Sequence, residues 1–282
     1  MTSTQSRMML SSTILLLISS IASAQSRADA QISPVNLVKA VIRTELNTSG
    51  ASDIRWKYRL DKEVDGKRET REVIETKFGS LDRLIAIANA PLSNVQERSE
   101  AERILTLAHN PAEQQKLEQG RRKETDQCNR FLQMIPDAFI FEYAGESRGL
   151  IKLTFKPNPR FQPPSREGKV LHEMAGEIWV DAKQQHLVSI NGQLINEVKF
   201  AGGLLGHLEK GGEFMLRRTE IVPGHWEMTE LAVNMKGKAL LFKTIAVQQK
   251  ELHRNFERVP EDLSLSDAAQ LLCKQTLIAA RR

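Results

Sequence analysis

Met174-Ala-Gly-Glu-Ile-Trp-Val-Asp181, Ala182-Lys-Gln-Gln185 and His186-Leu-Val-Ser-Ile-Asn-Gly-Gln-Leu194 read as one β-hairpin. Two runs alternate apolar with polar residues around a short polar turn, as paired strands do when one face is turned inward. The strand pattern continues through Glu197 to Phe200, Glu213 to Ile221, Trp226 to Met235 and Ala239 to Gln249. Pro223-Gly224-His225 and Lys236-Gly237-Lys238 mark turns between them. Gly202, Gly203 and Gly206 interrupt the pattern, as bulges or close backbone approaches do. Lys169 to Glu251 is therefore a run of five or six strands. Trp226 and Met228 fall on one face, and Leu231, Val233 and Met235 on the other. Such a sheet must be covered on both sides or curl around something.

The flanking sequence supplies the cover. From Asn94 to Ile135 the period is helical, with Val95, Ala101, Ile104, Leu105 and Ala108 on one face of a first helix. Asn110-Pro111 breaks it, and a second helix carries Leu117, Cys128, Phe131, Leu132 and Ile135 before Pro136 ends it. Its first half, Glu113 to Gln127, is polar and reads as solvated. Upstream, Ser33-Pro34 opens a helix that runs to about Asn47 with Val35, Val38, Val41 and Ile42 on one face. A three-strand meander follows, from Ile54 through the Asp65-Gly66 turn to Ala88. Ala138–Tyr143 and Leu150–Phe155 form another hairpin. Lys156 to Lys169 holds Pro157, Pro159, Pro163 and Pro164 and reads as an extended linker or edge loop. After Val259-Pro260 a last helix is capped by Ser264 or Ser266, with Leu265, Ala269, Leu272 and Thr276 on one face.

The N-terminus indicates export. Arg7, an apolar run from Thr13 to Ile21 and the A-x-A pattern Ala22-Ser23-Ala24 make a secretory signal peptide. No Cys follows the cut, so lipid attachment is not expected there; cleavage leaves 282 − 24 = 258 residues. The expected location is periplasmic or secreted, with membrane contact peripheral at most. Losing Arg7 takes the formal charge from +5 to +4. Basic and acidic residues are interspersed, without a basic stripe among aromatics, which argues against nucleic acid as a partner. Two cysteines remain, Cys128 and Cys273; in an oxidising compartment they can pair with each other or stay as separate buried thiols.

Catalytic patterns are scarce. Gly145-Glu-Ser147-Arg-Gly149 matches G-x-S-x-G, but a nucleophile elbow needs a helix after the turn, and Leu150 opens a strand. The six histidines, at 109, 172, 186, 207, 225 and 253, form no metal-ligand spacing and read as solvated surface groups. Phosphate-cradling and dinucleotide fingerprints are absent from the sequence, so neither a cofactor nor a metal is expected. Trp56, Trp179 and Trp226 are strand aromatics, either core or the walls of a lipid-sized cavity.

Phe155-Lys-Pro-Asn-Pro159, Pro163-Pro-Ser-Arg-Glu167, Gly176-Glu-Ile-Trp-Val-Asp181, Gly202-Gly-Leu-Leu-Gly206 and Leu240-Leu-Phe-Lys-Thr244 resemble a family of secreted bacterial proteins without an assigned function. More distantly, the order of elements resembles the LolA-like periplasmic lipoprotein carriers. That resemblance implies a curved antiparallel sheet whose apolar concave face is shielded by helices and accepts acyl chains or a partner.

The expected fold is α+β: a strongly curved antiparallel half-barrel of about 10–11 strands with helices on the concave face. The expected division is a signal peptide (1–24), a disordered linker (25–32), one domain (33–275) with a helical insert (94–135), and a tail (276–282). The expected function is an exported, non-catalytic binding protein that holds an amphiphile, an acyl chain or lipoprotein, between sheet and helices. Trp179, Phe214, Trp226, Met228 and Phe242 are the ligand-binding candidates. The alternative is an envelope protein-interaction or sensor module, and a serine hydrolase stands third.

Overall fold

The runs around Asp181 pair as their alternation requires. In the computed structural model, β7 (Met174–Asp181) and β8 (His186–Leu194) are antiparallel, from Met174 opposite Leu194 to Asp181 opposite His186. Asp181 closes the turn by accepting the backbone N–H groups of Lys183 and Gln184 at 2.9 and 2.7 Å. The structure describes residues 32–48, 54–239 and 243–280, and the unit beginning at Pro34 holds every element below. The signal peptide, its cleavage site, Phe242 and the linker apart from Ile32 lie outside the described residues.

Helix α1 (Pro34–Thr48) precedes the strands β1 (Arg55–Val64), β2 (Lys67–Thr76), β3 (Gly79–Ile87) and β4 (Ala90–Pro91). Helices α2 (Asn94–His109) and α3 (Pro111–Ala138) lead to β5 (Phe139–Ser147) and β6 (Leu150–Pro157). A short helix α4 (Arg166–Leu171) stands before β7. After β8 come β9 (Val198–Phe200), β10 (Gly206–Leu208), β11 (Glu213–Val222), β12 (His225–Ala239), β13 (Lys243–Val259) and helix α5 (Leu265–Ala280). The strands form one open antiparallel sheet in the order β4-β3-β2-β1-β13-β12-β11-β8-β7-β6-β5. β10 pairs with the end of β12 and carries β9 on its other side.

One cross-strand row exposes the logic of the sheet. Tyr143, Leu153, Ile178, Ile190, Leu216, Leu231, Glu251, Lys62, Glu69 and Ile87 lie opposite one another in turn, so they share a face. Six apolar side chains give way to Glu251 and Lys62, which pair at 2.8 Å. Beyond that point Trp56 and Val73 stay buried on this face, but a second apolar set lies on the other. Ile74 and Leu81, 0% and 2% exposed, sit under α2 and α5 with Ala101, Ile104, Ala108, Ala268, Ala269 and Leu272. The apolar half of the row is covered instead by α1 and the C-terminal part of α3, through Val38, Val41, Ile42, Ile135 and Ala138.

The expected α+β class with one large antiparallel sheet is seen, while the helices do not all gather on one face. Among the described residues, thirteen strands carry two helical layers on opposite faces at opposite ends. Twist accounts for how one helix serves both. Neighbouring strands rotate by about 20–25°, and six steps separate β7 from β2. The sheet normal turns far enough for α3 to meet Gly79 at the start of β3 through Leu117 and also pack on α1 and β5.

Other boundaries shift for local reasons. Lys236-Gly237-Lys238 is not a turn, because β12 runs on to Ala239. Gly237 is there for close approach, since a Cβ on it would stand 2.1 Å from the carbonyl oxygen of His207. Pro136 lies inside the last turn of α3 rather than ending it. The proline-rich stretch contains α4, whose N-cap Ser165 accepts the Gly168 N–H at 3.1 Å. Helix α5 continues to Ala280, past the domain limit read at 275.

Asn110 both ends α2 and caps α3, accepting the N–H groups of Ala112 and Glu113 at 3.0 and 3.4 Å. Asn110→Ala should lower stability by about 1 kcal/mol. Chemical denaturation at constant slope checks this, and an unchanged midpoint would count against the cap.

Candidate functional site

The core under α1 and α3 encloses an apolar space. Val38, Val41 and Ile42 on α1 face Phe131, Leu132 and Ile135 on α3 across a floor of β6, β7, β8 and β11. Their stripes follow the 3.6-residue period, which turns each helix edge-on to the sheet. The floor takes Ile178, Ile190 and Leu216 from one cross-strand row and Phe155, Gly192 and Phe214 from its neighbour. Between helices and floor remains a cavity of about 140 Å³ whose exposed lining is wholly apolar. Gly192 helps to keep it open, because a Cβ there would meet Met174 Cε at 2.7 Å and Phe155 Cζ at 3.4 Å. A space of this size and lining excludes water, which needs several polar partners.

A buried polar knot fastens α1 over this cavity. Glu45, 4% exposed, occupies the next position of the stripe Val38, Val41, Ile42. Its Oε1 accepts the Leu187 N–H at 3.0 Å and lies 3.2 Å from His186 Nδ1. Arg218 Nη1 on β11 donates to Oε2, and Arg218 Nη2 donates to the Trp226 carbonyl. An ionised carboxylate only accepts, so a charged Glu45 requires the proton on Nδ1 of His186. The imidazole stacks on Trp226 at 5.5 Å between centroids. Burial holds the His186 pKa below its ordinary value, against the opposing pull of Asp181 and Glu220. Burial also lowers the Arg218 pKa, with Glu227 acting the other way.

A second polar cluster sits on the other half of the sheet. Trp56, 2% exposed, donates its backbone N–H to Glu75 at 3.2 Å and its indole N–H to Glu227 at 2.8 Å. Burial and then the neighbouring Glu227 raise the Glu75 pKa to about 7, while the Trp56 N–H and Arg55 pull it down. Burial likewise raises that of Glu227. Glu251 goes the other way, to about 2, held ionised by His253 first and then by Lys62 and Gln249.

The sequence-predicted ligand residues are scattered. Phe214 lines the cavity. Trp179 points away from it, opposite Lys152 and Ser189, with Lys152 Nζ 5.5 Å above its ring. Trp226 belongs to the Glu45 knot and donates its indole N–H to Gln184 at 3.1 Å; Met228 lies opposite Arg218. Glu45, Ile190 and Arg218 were not singled out, and His186 is buried rather than solvated. Cys128 borders the cavity, whereas Cys273 lies in the core under α2 and α5. Both thiols are free: Cys128 is exposed, while Cys273 is buried. Ser147 ends β5 opposite Leu150, with strand rather than helix after its turn.

The fold defines an α+β class: an open antiparallel sheet with a helical layer at each end. No family model and no curated protein matches the chain. Among solved structures it is similar to an outer membrane lipoprotein-sorting protein domain from Vibrio parahaemolyticus, at 8% identity and a TM-score of 0.32, over 85% of this chain and 100% of that one. It is also similar to a DUF1329 family protein from Desulfovibrio piger, at 10% identity and a TM-score of 0.25, over 80% of this chain and 93% of that one. Among the described residues, no helix is long and apolar enough to cross a membrane.

Proposed function

We propose that the chain is an exported, non-catalytic binding protein that takes the apolar part of an amphiphile into the cavity between α1, α3 and the sheet. The single observation behind this reading is the apolar cavity of about 140 Å³. Engineered apolar cavities of about 150 Å³ stay dry and bind benzene, so a space of this kind is a ready receptor for a short hydrocarbon. Glu45 at the end of the α1 stripe is engaged with His186 and Arg218. They give the site a rigid wall rather than a reactive group.

The size of the cavity sets a quantitative expectation. Each buried methylene is worth about 0.8 kcal/mol, or roughly fourfold in affinity. In a straight-chain carboxylate series, displacement of a fluorescent naphthalene sulfonate should strengthen by that factor per carbon and then level off once the cavity is full. A longer chain gains further only if α3 shifts, since α1 is fixed by Glu45. Ile190→Trp fills the floor and should weaken octanoate binding about tenfold or more with the fold unchanged by circular dichroism. Equal binding by that variant, or no chain-length dependence, would remove the basis for the reading.

A further inference from the structure

The turn between β9 and β10 has no role in the cavity. Leu204 and Leu205 stand there 81% and 40% exposed, the former the most exposed of the large apolar side chains among the described residues. The backbone holds them out: Ala201, Gly202, Gly203 and Gly206 all have positive φ, from 49° to 121°. A Cβ on Gly202 or Gly203 would meet nothing within 4 Å among the described residues.

Behind the tip lies a basic row. Lys199 is opposite His207, and His207 is opposite Lys238, so the three share a face, joined by Lys236 two residues along β12. The acids beside them are Glu197, which pairs with Lys199 at 3.3 Å and His207 at 3.4 Å, and Glu209. Lys236 and Lys238 are exposed. On the opposite face Phe200 and Leu208 pack against the core that walls the cavity.

We infer that this tip is a bilayer contact: Leu204 and Leu205 enter the interface of an anionic membrane while Lys199, Lys236 and Lys238 lie against its head groups. The extent of the patch selects this occupant. Two leucines, one of them less than half exposed, fall far short of the roughly 800 Å² per partner of a stable protein interface. A bilayer accepts a small apolar tip and gains from cations beside it. The inference stands apart from the cavity reading, since a membrane-bound protein need not bind acyl chains.

Co-sedimentation of the full chain with vesicles tests it, using phosphatidylcholine alone and phosphatidylcholine mixed with phosphatidylglycerol. The wild type should bind the mixed vesicles, less strongly as salt is raised. Leu204→Ser with Leu205→Ser should weaken this at least about tenfold. Lys199→Gln with Lys238→Gln should abolish the preference for the mixed vesicles. These exposed changes should leave the melting temperature and the octanoate displacement unaltered. Absence of vesicle binding by the wild type, or equal binding by the leucine variant, overturns the inference. Concentration-dependent dimers that the leucine variant loses, without vesicle binding, would also overturn it in favour of a second copy of the chain.

Discussion

Glu45→Ala should cost the domain about 3–5 kcal/mol, as expected when one partner of a buried ion pair is removed. The carboxylate is 4% exposed and takes donors from two strands, Leu187 and His186 on β8 and Arg218 on β11. Without it, Arg218 keeps its charge in a site with little water, and the Leu187 N–H and His186 Nδ1–H lose their acceptor. Helix α1 loses its fastening at the C-terminal end, beside the cavity. For a domain of this size the melting temperature should fall by roughly 10 °C. Glu45→Gln separates the contributions: it keeps an acceptor for the two neutral donors but removes the charge facing Arg218, and it should still cost most of the stability. Pairing Glu45→Leu with Arg218→Met removes both charges and should recover much of the loss. Urea midpoints at constant slope give these numbers. A single-variant loss below about 1 kcal/mol would mean that solvent reaches the guanidinium and that the knot is not the fastening of α1.

The local structure of this chain is written in short-range patterns, and those patterns are legible. The hairpin at 174–194, the break at Asn110-Pro111 and the helix from Pro34 follow from alternation, capping and the 3.6-residue period. The order of strands is not local. β1 pairs with β13 and β8 with β11, partners that no periodicity joins. Gly237 looked like a turn because its use is a contact with a strand thirty residues earlier. The two-faced apolar pattern of the late strands was visible, but whether one helical layer or two covers the sheet depends on accumulated twist. Glu45 could have been found. A carboxylate seven residues after Val38, on the stripe with Val41 and Ile42, faces a core and needs a buried cation. Arg218 could not, since nothing in its own strand distinguishes it from Arg217.

The pH profile should be skewed toward acid, and Glu75 is the reason. Its folded pKa of about 7 lies above the ordinary 4.5. Below 4.5 it is protonated in both states, and nothing is lost. As the pH rises from 4.5 through 7 the folded state holds a proton that the unfolded chain has released, so stability falls across that window. A shift of this size corresponds to at most about 3 kcal/mol, most of it from burial and the rest from the charge of Glu227. Glu251 has the opposite sign: its folded pKa of about 2 gives stability above 4.5 that is lost as the pH drops toward 2. His186, held below its ordinary value, favours the folded state as the pH rises toward the unfolded imidazole value. The clean observable is therefore the difference between wild type and Glu75→Gln, which keeps an acceptor for the Trp56 N–H and cannot ionise. That difference should be near zero around pH 4.5 and grow to about 2–3 kcal/mol in favour of the variant by about pH 8. Parallel stability curves for the two proteins would show that Glu75 is ionised without penalty and that water, rather than Trp56 and Glu227, is its true neighbour.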